Sequence, residues 1–196
     1  LKALSSPNKQ RRAEAWEKIK LLIDTGNVDV LSPHRGYLRS LLWHSLQGVR
    51  DDAWANIELL RKIGVEGVER TLTANKDTIK WSAWSNFDKL LSLGYVSFDQ
   101  LREARVSYWR LLKSRWATVR KKAWRLFIKL VDFGIFDKSD KERFKDFLEH
   151  RKASVRIYAW EAVPTLLEKG FIAKEDVEEL LPYLRELTTV ESNVKK

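Results

Sequence analysis

The chain has 196 residues, 44% of them apolar and 33% charged, with 37 Lys and Arg against 27 Asp and Glu for a net charge of +10. That is ample material for a folded core, yet the apolar residues come in short groups broken by charge, so no segment is expected to span a bilayer. Cysteine is absent, which excludes a disulfide framework and a thiolate metal site, and the basic balance points to nucleic acid, anionic membrane surfaces or acidic proteins as partners.

The first residues, LKALSSPNKQRR, lack the apolar stretch and small-residue cleavage site of a secretory leader, so an intracellular, cytoplasmic protein is expected. The chain opens at Leu1 and contains no methionine, which leads us to expect a piece of a longer chain. Plentiful Lys and Glu beside sparse Asn and Gln is also the profile of heat-adapted proteins.

Five Ala-Trp pairs then organise the sequence. Each tryptophan (Trp16, Trp54, Trp84, Trp124, Trp160) is followed six residues on by a leucine (Leu22, Leu60, Leu90, Leu130, Leu166) and ten residues on by a glycine (Gly26, Gly64, Gly94, Gly134, Gly170). Successive tryptophans are 38, 30, 40 and 36 residues apart. Self-similarity at that period is the mark of a helical solenoid, in which each unit buries its apolar face against its neighbours. The Ala-Trp segments predict helices near 9–25, 49–63, 77–93, 118–133 and 153–169, called B here. A second set, called A, is predicted near 36–47, 66–74, 99–116, 139–150 and 176–188. The domain expected is a single one over residues 1–196.

In the fourth copy, residues 119–134, the apolar positions Val119, Ala123, Phe127, Leu130 and Val131 trace one face of an α-helix. The alanine allows close approach of a neighbouring helix, the tryptophan adds apolar area, and the glycine supplies the left-handed residue that closes the last turn. After it, GYVSFD, GIFDKSD and GFIAKED fold an apolar pair back onto the helices, with Asp99, Asp140 and Asp176 expected as N-caps of the next helix.

Helix B opens with V-R-x-x-A at Val49-Arg50, Val119-Arg120 and Val155-Arg156, relaxed to Ile79-Lys80 and Arg11-Arg12. With the helix-turn-helix register, this resembles HEAT repeats over nearly the whole chain. The resemblance implies an all-α fold, a right-handed α-α superhelix of about five helix pairs. It also implies a non-catalytic scaffold that offers its concave row of B helices, or an edge of it, to proteins or nucleic acids. The chain departs from the general HEAT pattern in its tryptophans, in a short third unit that makes the A helix near 66–74 suspect, and in Pro164, which is expected to bend the fifth B helix.

The densest charge lies in residues 102–129, where ten cations face one acid, Glu103. The candidate polyanion or partner site comprises Arg110, Lys113, Arg115, Trp116, Arg120, Lys121, Lys122, Arg125 and Lys129, spilling toward Arg151, Lys152 and Arg156, with Trp81 as a further aromatic. Arginine offers forked donors to phosphate, and interleaved aromatics offer stacking surfaces to bases. The competing explanation is a solvated basic face. Trp81 has two readings as well, an exposed ring on the concave surface or a filler of the gap left by the short repeat. Asp51 and Asp52 read as first-turn acids favoured by the helix dipole. His34, His44 and His150 are too scattered for a metal site, and no phosphate loop, dinucleotide fingerprint or nucleophile elbow occurs.

No cofactor is implied. The function expected is an interaction module with a basic surface for nucleic acid or an acidic protein. The alternatives are a protein similar to the HEAT-like alkylpurine DNA glycosylases, for which no motif matches residue by residue, and an adaptor that binds protein through an apolar groove.

Overall fold

The computed structural model describes residues 1–194, and every regular element among them is helical. The chain divides into two compact units, one from Leu1 to Tyr108 and one from Trp109 onward. In the first lie α1 (Lys9–Asp24), α2 (Arg35–Ser40), α3 (Gln47–Ala55), α4 (Ile57–Ile63), α5 (Asp77–Trp84), α6 (Phe87–Ser92) and most of α7 (Phe98–Leu112). The second contains the end of α7 with α8 (Ala117–Asp132), α9 (Lys141–Leu148), α10 (Ala153–Glu168), α11 (Lys174–Glu178) and α12 (Leu181–Val194). Short 3-10 segments complete the A positions, the third being only Val68–Thr73. No helix of the described residues is long and apolar enough to cross a membrane.

Three of the five B segments, α1, α8 and α10, are single helices of 16 residues. The second and third are broken instead, at Asn56 between α3 and α4 and at Ser85–Asn86 between α5 and α6. The cause is local. Asn56 Nδ2 donates to the Asp52 carbonyl at 2.8 Å and Asn86 Nδ2 to the Ser82 carbonyl at 2.8 Å, drawing both backbones out of the helical region. α10 continues through Pro164 without ending there.

The repeated glycines behave as expected. All five have φ between +67° and +80°, and in each copy the residue after the glycine donates to the carbonyl of the repeated leucine, as Ile135 does to Leu130 at 2.9 Å. The glycine amide closes the inner bond, completing a Schellman motif. The helix starts differ from expectation. For α7 the cap is Ser97, whose hydroxyl accepts from Gln100 N while the Gln100 side chain accepts from Ser97 N. Asp137 caps the segment ahead of α9, and Asp140 reaches back to the Asp137 amide. Asp176 likewise reaches back to the Ala173 amide at 2.8 Å. Asp99 and Asp176 thus sit inside the first turns of α7 and α11, while Asp140 holds the N-cap position of α9 without making the capping bond; all three are favoured there by the positive helix end.

A shared interior frame accompanies the repeat. Trp16, Trp54, Trp84, Trp124 and Trp160 are all buried, and twelve residues before each lies a buried leucine: Leu4, Leu42, Leu72, Leu112 and Leu148. In the last three copies the indole N–H donates to that leucine's carbonyl at 3.0–3.1 Å, pinning helix B to the end of helix A. Trp16 and Trp54 find no acceptor. The arginine of V-R-x-x-A, replaced by Lys80 in the third copy, is the second shared feature. Arg12 donates to the Ser6 and Pro7 carbonyls, Arg50 to His44 and Ser45, Arg120 to Ser114 and Arg115, and Arg156 to His150, at 2.6–3.2 Å. Each reaches back five or six residues to hold the turn between helices A and B from inside.

The second unit has an aromatic core. Of the face expected in α8, Val119, Ala123, Phe127 and Leu130 are buried, whereas Val131 is half-buried. Phe127 lies at its centre, within 4.9–6.2 Å of the rings of Trp109, Trp124, Phe136, Phe144 and Phe171. Trp109 is therefore packing, with its ring stacked on Phe147 at 5.7 Å.

Candidate polyanion interface

The site is built on two turns of the second unit, those that deliver the chain into α8 and α10. In the first, the Ser114 hydroxyl accepts from Trp116 N at 3.3 Å while Arg120 Nη1 holds the Ser114 and Arg115 carbonyls at 2.7 and 3.2 Å. In the second, His150 Nδ1 accepts from Lys152 N at 3.1 Å, and Arg156 Nη1 holds the His150 carbonyl at 2.9 Å. Serine and histidine do the same work here, closing a small ring to the amide two residues on. With the turns fixed from within, Lys113, Arg115, Trp116, Arg151 and Lys152 are left exposed around them.

Both helices start without a side-chain cap, at Trp116 for α8 and Lys152 for α10. Their first-turn amides are donors that the chain's own side chains do not claim, and each 16-residue helix carries partial positive charge at that end. His150 reports how closely the cations gather. Partial burial lowers its pKa first, and the positive charges of Lys113, Arg151 and Lys152 lower it further. Lys113 belongs to one turn and His150 to the other, so the two turns lie close enough to act on one another.

A second line of charge runs along α8. Lys121, Lys122, Arg125 and Lys129 are exposed, and their spacing places them along one side of the helix. Lys121 and Arg125 border a groove of about 210 Å3 between α8 and α10, with Tyr158 and Glu161 on the opposite wall.

The remaining candidates are placed elsewhere. Arg120 and Arg156 belong to the frame, because their guanidinium groups face the turn carbonyls and Arg156 also pairs with Glu186 at 3.2 Å. Arg110 is exposed on α7. Trp81 lies in the first unit, half-buried on α5. His150 is the residue that a search for metal ligands passes over. The signal that finds it is the repeat itself, since Ser6, His44, Ser114 and His150 occupy one register and accept from the same amide. Among the described residues no group of three or more His, Asp or Glu is placed to hold a metal ion.

No protein-family model matches the chain, and neither a curated protein nor a solved structure matches it significantly.

Proposed function

We propose that this protein is a HEAT-type interaction module, a right-handed solenoid of about five helix pairs. Its work is to bind polyanions, nucleic acid foremost, through the second unit, with no reaction of its own. The helix-pair reading is supported by recurring features: the buried tryptophan and the Schellman glycine of all five copies, and the arginine that reaches back to its turn in four of them.

The binding reading is carried by one observation, the two uncapped helix starts set among Lys113, Arg115, Arg151 and Lys152. A phosphate oxygen there accepts from first-turn amides and from charged side chains together, and each phosphate neutralised releases condensed counterions. The line from Lys121 to Lys129 continues the favourable potential along α8.

Fluorescence anisotropy with labelled single-stranded DNA, duplex DNA and RNA at two salt concentrations tests this. The expected result is binding at micromolar concentration or tighter that weakens steeply with salt, by roughly a thousandfold or more between about 50 and 200 mM for a multi-phosphate contact. Absence of binding at the lower salt contradicts the reading, makes the cations a solvated face, and favours an acidic protein as partner.

A further inference from the structure

Trp116 is used neither by the repeat frame nor by the interior. Among the described residues it is the exposed one of the nine, with 49% of its surface open, while the others are buried or half-buried. The same register holds Asn8, Leu46, Lys76 and Lys152 in the other copies, so the turn forms without an indole. Exposing so large an apolar ring is unfavourable unless something covers it. Arg115 covers part of it, its guanidinium 4.7 Å from the ring centroid.

We infer that Trp116 is a stacking platform for an unpaired base, and that the ligand of this edge is single-stranded nucleic acid. The inference rests on the polyanion reading above and names its substrate class. Phosphates held at the α8 and α10 starts place the adjoining sugar and base beside the indole. A flat π-face accepts any base, whereas in a duplex the bases are already stacked on one another and offer the ring only their edges. Arg115 serves both parts of the ligand: it stacks on the ring and stays within a residue of the cluster that binds phosphate. Duplex DNA or an acidic peptide uses the cations equally well but gains nothing from the indole.

The test compares three fluorescein-labelled ligands of about 12 nucleotides. They are a mixed-sequence single strand, a tetrahydrofuran abasic oligomer of the same length, and the corresponding duplex. Wild-type protein, Trp116→Ala and Trp116→Phe are each titrated, with far-UV circular dichroism checking the fold. The expected result is that the single strand binds wild type about 5- to 100-fold more tightly than the abasic oligomer. Trp116→Ala is expected to remove that preference while leaving abasic binding unchanged, and Trp116→Phe to restore most of it. Equal affinity of wild type for the strand and the abasic oligomer overturns the stacking inference and leaves the polyanion reading standing. Failure of all three ligands to bind overturns both.

Discussion

The turn ahead of α1 and the turn ahead of α8 have the same interior and different helix starts. In both, a serine hydroxyl accepts from the amide two residues on, and an arginine in the next helical turn donates to two carbonyls from inside. At α1 the helix start is then closed: Asn8 accepts from Arg11 N at 3.0 Å, and Arg12 also pairs with Asp52. At α8 the cap position is held by Trp116, which cannot cap, and Lys113 and Arg115 flank it. The frame is what the repeat must keep to fold. The cap register and its neighbours are what it can vary, and there α8 differs from α1.

Perturbing the frame should cost stability, and perturbing the decorated surface should cost binding. The largest effect is expected from Phe127→Ala, which empties the aromatic core of the second unit and should destabilise it by roughly 3–5 kcal/mol in urea unfolding. Arg120→Ala frees two turn carbonyls and should cost about 1–3 kcal/mol, while Arg125→Ala, exposed on the same helix, should stay within about 0.5 kcal/mol. Equal costs for the two arginines would contradict the inward role of the first. Reversing Lys121, Lys122 and Arg125 to Glu should weaken polyanion binding by about tenfold or more without loss of helicity.

A finer comparison sets Trp124→Phe against Trp54→Phe. Both lose buried ring area, but Trp124 alone of the two donates to a carbonyl, that of Leu112, so it should cost about 1 kcal/mol more. The smallest effect concerns pH. His150 has a lowered pKa, so its folded form prefers the neutral ring. That stabilising contribution is complete above the usual value near 6.5 and is lost as pH falls from there toward the lowered value. The melting temperature should drop as pH falls below about 6.5, and drop less in His150→Asn, which keeps an acceptor for the Lys152 amide. A bound polyanion should reverse the trend, because protonated His150 then adds a favourable charge.

The periodic parts of this molecule were legible in its sequence. Ala-Trp, leucine and glycine recur at fixed offsets because each does one job in every copy, so the helical class, the buried tryptophans and the helix ends all follow. Features that depend on a single side chain competing for the backbone carry no period, and so Asn56 and Asn86 break helices that the pattern runs straight through. Composition misleads in a different way. Arg120 and Arg125 are alike in the list of charges, but one points into its turn and the other into solvent. Trp109 and Trp116, seven residues apart among the same cations, are respectively core and surface, because Trp109 still lies within α7 and Trp116 lies beyond its end.

The most direct test is anisotropy titration of one labelled single strand with wild type and with a Lys113→Glu, Arg115→Glu, Lys152→Glu variant at the same low salt. All three residues are exposed and stand outside the frame, so the variant should keep its circular dichroism and melting temperature. An affinity loss of about tenfold or more, with a shallower salt dependence, is the predicted result. Unchanged affinity in a folded variant would contradict the claim that the α8 and α10 turns are where this protein meets its ligand.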